Sequence, residues 1–249
     1  MTPSHTTTKG QILAYSLALG LSSTSPLLAD LYWDGSTTGN AGGTSDNWDT
    51  TDANWATTSG GGASQAWSAG ETAILEGTGG TITLTEDADL AGLTANESFT
   101  LVGNGGGEKP IFSGSPSVNV ASGKELIFNA GFNSASGDFT KIGDGTLTLN
   151  ATGINMGGNK VIINAGTLKM ANGSFVAGTA PFTSATEIVI NSGGTLENAD
   201  AHAVSGYGAQ HAITINGGTY KVSSSNYHNV ITMTAGTING TADIRGKYF

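Results

Sequence analysis

One phrase returns through the second half of the chain and leaves few folds open to it. "GTLTL" at residues 145–149 is followed by "GTLKM" at 166–170, "GTLEN" at 194–198, "GTYKV" at 218–222 and "GTING" at 236–240. The leading glycines lie 21, 28, 24 and 18 residues apart. A period of that length with variable insertions is the mark of a solenoid that spends one coil per repeat. Side chains alternate between the two sides of a strand. Leu147, Leu168, Leu196, Tyr220 and Ile238 therefore share one face, and Thr146, Thr167, Thr195, Thr219 and Thr237 the other. Only the first set suits a core, so these five residues are expected to form a stacked interior ladder.

A second strand precedes each phrase: "VIIN" at 161–164, "IVIN" at 188–191, "ITIN" at 213–216 and "ITMT" at 231–234. Its flanking apolar residues, such as Val161 and Ile163, point one way. The residue between them drifts from Ile162 to Thr232, as a solvent-facing position can. Between the two strands stand Asn164, Asn191 and Asn216, each followed by a pair that ends in glycine. Asn and Gly accept a left-handed backbone at little cost. These residues are read as corners that turn the chain from one sheet to the next without a hairpin. In a parallel β-helix their amides can also stack from coil to coil.

Composition agrees with this reading. Of 249 residues 39 are glycine, only 11% are charged and 37% are hydrophobic. That is enough apolar content for a core and too little charge for a disordered chain. There is no cysteine, so stability has to come from packing and backbone pairing. Fully burying one aliphatic side chain contributes roughly 1.5–3 kcal/mol, so continuous aliphatic ladders supply a great deal.

The N-terminus reads as an export signal. Lys9 precedes the apolar run "ILAYSLALGL" at 12–21, which is too short to span a bilayer, and "SSTSPLLA" ends at Ala29. Residues 1–29 are expected to be a secretory signal peptide. Residues 30–74 form a Trp-, Asp- and Gly-rich N-terminal cap, and residues 75–249 one β-helix whose repeats are clearest over 139–240.

Charge is unevenly placed. Residues 30–108 hold twelve acidic side chains and no Lys or Arg, while the remainder is close to balanced. Such a chain repels phosphate backbones, which excludes nucleic acid as a partner. The acidic third reads as a solvated surface. Trp33, Trp48, Trp55 and Trp67 fall in the same third. They suit a cap over the open end of a hydrophobic column, which repeat folds need. A sugar-binding face is the alternative.

The stretch "FTKIGDGTLTLNATGINMGGNKVIINAGTLKM", residues 139–170, resembles the autotransporter-associated β-strand repeat. Lys141, Gly143, Gly145, Thr146, Leu147, Leu149, Gly157, Gly158, Ile163, Asn164, Gly166, Thr167 and Leu168 fall where that pattern places them. "YWDG" and "NWDTTDANW" are similar to the leaders of secreted bacterial proteins that carry it. The resemblance implies a right-handed parallel β-helix exported as a surface or extracellular passenger of a bacterium, and it supplies no catalytic residues. No translocator barrel and no hydrophobic anchor is expected after the repeats.

The acids of the repeat region, Asp138, Asp144, Glu187, Glu197, Asp200 and Asp243, are scattered in phase. Acid–base glycoside cleavage needs two carboxylates about 5–10 Å apart. Arg245 is the lone arginine, and no basic cluster suits a lyase. His202, His211 and His228 lack metal-ligand spacing, and Asp46, Asp49 and Asp52 lack the glycine and distal Glu of a calcium loop. Expected, then, are no catalytic residue, no metal and no cofactor. The chain reads as a non-enzymatic exported passenger or stalk with adhesive character. A monomer or a segment of a longer array is expected, with surface glycans or other extracellular components as partners and no transmembrane segment in the mature chain. A polysaccharide-binding or polysaccharide-degrading β-helix is the alternative.

Overall fold

In the computed structural model the described residues are 29–34, 46–134, 136–151, 154–172, 182–183, 187–201, 203–204, 211–228 and 230–246. The expected signal peptide, apart from Ala29, lies outside them. The described residues contain strands and no helix. Nearly all strand pairing is parallel, and it runs between successive coils of a β-solenoid.

The pairings form three columns. In the first, Asp30–Trp33 lies beside Glu71–Leu75, which lies beside the end of Ala88–Ala95. Then follow Ser117–Val120, Phe139–Ile142, Val161–Ile163, Glu187–Asn191 and the starts of Ala212–Val222 and Ile231–Gly240. The second column runs through Asp46–Trp48, Gly80–Leu84, Phe99–Gly103, Glu125–Phe128, Thr146–Leu149, Gly166–Met170 and Gly194–Asn198. It ends in the second halves of Ala212–Val222 and Ile231–Gly240. The third is shorter: the start of Ala88–Ala95 pairs with Pro110–Phe112, and bridges carry on through Asn133 to Asn155. Strands of the 30–74 segment thus share columns with the strands that follow.

Register explains the core. Leu126, Leu147, Leu168, Leu196, Tyr220 and Ile238 are consecutive partners in the second column. Leu147, Leu168, Leu196 and Tyr220 are fully buried, whereas Ile238 is 39% exposed. The difference is positional, because Ile238 lies on the last described strand of its column. In the first column Phe139, Val161, Ile188, Ile213 and Ile231 stack in the same way. Phe112, Phe128, Phe132 and Phe139 fill the middle of the column with edge-on and stacked ring contacts of 4.9–5.8 Å.

Asn164, Asn191 and Asn216 occupy successive corners between the first two columns. The Asn191 amide donates to Asn164 Oδ1 at 2.7 Å, and Asn216 donates to Asn191 Oδ1 at 3.2 Å. Thr234 Oγ1 extends the chain by donating to Asn216 Oδ1 at 3.0 Å. The left-handed bend itself falls on glycine. Gly166 has φ +61°, and a Cβ there would lie 2.4 Å from the carbonyl oxygens of Gly143 and Gly145. No other residue fits a corner where successive coils approach that closely.

Candidate functional site

The outward stripes of the second column are the most regular surface on the molecule. Thr146, Thr167, Thr195, Thr219 and Thr237 form one stripe. Beside it run Thr148, Lys169, Glu197, Lys221 and Asn239. Glu197 accepts from Lys221 Nζ at 2.8 Å, and Thr148 Oγ1 donates to Glu125 at 2.6 Å. An open polar groove along this face is lined by Lys124, Glu125, Asp144, Thr146, Thr167 and Lys169. Its charges alternate in sign, so it offers many hydrogen bonds and no concentrated field.

The acids considered for catalysis are dispersed and mostly engaged. Glu187 accepts from Lys160 Nζ at 2.7 Å and from the Thr214 hydroxyl. The Lys160 bond, then the Thr214 bond, hold its carboxyl below the usual range. Asp138 accepts from the Lys160 backbone N–H at 2.8 Å, and Asp200 from that of Ala201 at 2.7 Å. Asp144 lines the groove and acts electrostatically on Lys141. Asp243 is exposed.

His211 is buried. His202 lies outside the described residues, as do the side chains of His228, Arg245 and Asp46. Asp49 does not gather a cation site. Its Oδ1 takes the backbone N–H groups of Thr51 and Asp52 at 2.9 and 2.7 Å, together with the Thr51 hydroxyl at 2.9 Å. These bonds outweigh burial and lower its pKa. Among the described residues no group of three His, Asp or Glu is placed to hold a metal ion.

The tryptophans converge. Trp33, Trp48 and Trp55 are fully buried and Trp67 nearly so. Ring centroids are 4.6–5.2 Å apart along Trp33–Trp55–Trp48–Trp67, with Trp55 also against Trp67. Trp33 and Trp55 are antiparallel backbone partners, and Trp55–Ala56 pairs in turn with Ser64–Gln65. Buried to this depth, the rings present no open face to a sugar.

Two inward polar residues were not foreseen as such: Lys141 was read only as part of the repeat pattern, and Asn198 only as part of the phrase "GTLEN". Lys141 stands in the interior ladder of the first column, between Val118 and Ile163, and is fully buried. Its Nζ donates to the carbonyls of Ile142 and Gly143 at 2.7 Å and of Ala165 at 3.3 Å. Burial pulls its pKa down to about 8, against the opposing pull of Asp144. Asn198 replaces an aliphatic residue between Met170 and Val222 and donates to the Ser224 carbonyl. A lysine and an asparagine at inward positions of otherwise apolar ladders were the available signals.

The molecule is thus a parallel β-solenoid with a polar, laddered exterior. In an alignment 216 residues long that covers 82% of the chain, the chain is 31% identical to the adhesin BmaC autotransporter of Brucella suis biovar 1 (strain 1330). The chain spans 6% of that protein's length. No family model and no solved structure matches the chain. No helix among the described residues is long and apolar enough to cross a membrane.

Proposed function

We propose that the chain is a non-enzymatic, exported segment of an adhesive surface passenger, of the autotransporter-associated repeat type and with a right-handed coil. The observation that carries this reading is the similarity, across 82% of the chain, to a protein named as an autotransporter adhesin. The fold gives that similarity a physical meaning. Ladders of Leu, Ile and Phe build length, and the residues left outside are Thr, Asn and paired charges arrayed at the strand spacing. Such a surface makes many weak, repeated hydrogen bonds, which suits contact with extended polar partners such as surface glycans. Residues 1–29 are the secretory signal and 30–74 contain the cap, closed by the tryptophan cluster. The protein acts outside the cell or on the bacterial outer surface.

Beads coated with the chain should adhere to cells or to immobilised glycans more than beads coated with an unrelated acidic protein. Equal adhesion in both arms overturns the adhesive reading. The competing degrading-enzyme reading predicts reducing-sugar release from polysaccharides that Glu197→Ala or Asp200→Ala abolishes. No release above a heat-inactivated control is expected.

A further inference from the structure

Asn–Gly pairs occur four times in the chain, and the fold treats them unequally. Asn216–Gly217 and Asn239–Gly240 lie inside the paired strands Ala212–Val222 and Ile231–Gly240. The Asn216 side chain is held further, donating to Asn191 Oδ1 at 3.2 Å and accepting from Thr234 Oγ1 at 3.0 Å. The glycine of Asn172–Gly173 lies outside the described residues. Asn104–Gly105 stands apart from all of these. It sits in the loop that leads from Phe99–Gly103 to Pro110–Phe112, where residues 104–107 are exposed. The Asn104 backbone N–H donates to the Leu84 carbonyl at 3.0 Å. Its side-chain amide and the Gly105 N–H have no hydrogen bond among the described residues. Gly105 has φ +98°, and a Cβ there would meet nothing within 4 Å.

We propose that Asn104 is a site of spontaneous modification, converting to aspartate and isoaspartate in the folded chain far ahead of Asn216 and Asn239. The Gly105 nitrogen attacks Asn104 Cγ. A C–N bond forms, the side-chain nitrogen takes the Gly105 proton and leaves as ammonia, and the product is a five-membered succinimide. Water then cleaves one of the two imide C–N bonds. Cleavage at Cγ gives aspartate, and cleavage at the main-chain carbonyl gives isoaspartate. Water is the only co-reactant. Ring closure needs the glycine nitrogen to swing toward the side chain, which an open loop permits and a paired strand resists until it opens locally. The consequence also differs by place. Isoaspartate lengthens the backbone by one atom, which a loop absorbs, whereas in a strand it would break the register on which the two faces depend. At Asn104 the product adds a carboxylate to the rim of the polar groove lined by Glu108, Asn129 and Asn150.

Peptide mass mapping of the full chain, incubated folded at mildly alkaline pH and labelled with an isoaspartyl methyltransferase, follows each asparagine. Asn104 should convert about tenfold or more faster than Asn216 or Asn239, which corresponds to about 1.4 kcal/mol of extra cost for opening a strand. In concentrated guanidinium, where the strands are gone, the rates should converge. Asn104→Gln, which disfavours the five-membered ring, should remove the fast phase and leave the denaturation curve unchanged. Equal rates in the folded chain overturn the proposal. So does an Asn104 lead that survives unfolding, or a fast phase that Asn104→Gln leaves in place.

Discussion

At Lys141 an ammonium stands where the coils on either side place Val118 and Ile163. Charge is tolerated there because the corner supplies acceptors. The Ile142 and Gly143 carbonyls lie in its own coil and that of Ala165 in the next. Lys141→Met fills the ladder but strips these carbonyls of a donor. Each buried group left unsatisfied costs about 1–3 kcal/mol, against which the new apolar contact offsets only part, so thermal stability at pH 7 should fall. Burial also gives this residue a pH signature. Its folded pKa of about 8 lies below the ordinary 10.5. Between those values the unfolded chain holds a proton that the folded chain has released, so raising the pH favours folding. Wild type should therefore gain stability relative to Lys141→Met as the pH climbs from 8 toward 10.5. A flat difference between the two denaturation series would show that the ammonium stays charged in the fold.

On the scale of a strand, the alternation within "GTLKM" separates what is buried from what is wet. Leu168 is fully buried between Leu147 and Leu196. Its neighbour Thr167 stacks with Thr146 and Thr195 on the outer side. Leu168→Asp puts an unpaired carboxylate in an apolar column and should cost more than 4 kcal/mol, an exceptional value for one substitution. Thr167→Asp adds a solvated charge and should stay within about 1 kcal/mol. Chemical denaturation of both variants checks the difference, and equal losses would mean the faces are reversed. That period-two pattern was legible because nearest-neighbour geometry alone dictates it. The third column was not. Its strands are short, and residues such as Asn133 and Asn155 join it through single bridges. A bridge of one residue leaves no periodicity to read.

Across the whole molecule each coil touches chiefly its neighbours, so stability is close to a sum of local terms and can be lost locally. The tryptophan cluster is the local term for the N-terminal end. Trp55 packs against Trp33, Trp48 and Trp67, and Trp55→Ala should cost about 3–5 kcal/mol, as large aromatic deletions do. Hydrogen exchange should then show lost protection in residues 30–95, with the strands from Phe139 onward unchanged. Uniform loss along the chain would mean that the solenoid unfolds as one unit.

The sequence by itself determined the class of fold and the facing of its strands. Period two and a repeat of about one coil are properties of local backbone geometry and of the hydrophobic cost of exposing leucine. It also determined where the chain bends, since only glycine accepts the backbone of Gly166 with two carbonyls within 2.4 Å of a would-be Cβ. Tertiary structure alone decided which coil lies beside which, and everything that depends on it. Stacking put Lys141 among carbonyls from two coils and linked Asn164, Asn191 and Asn216 across intervals of 27 and 25 residues. It buried four tryptophans against one another and left Ile238, alike in sequence to its buried counterparts, exposed on the last described strand of its column. Those outcomes rest on contacts between residues distant along the chain, and a local pattern carries no record of them.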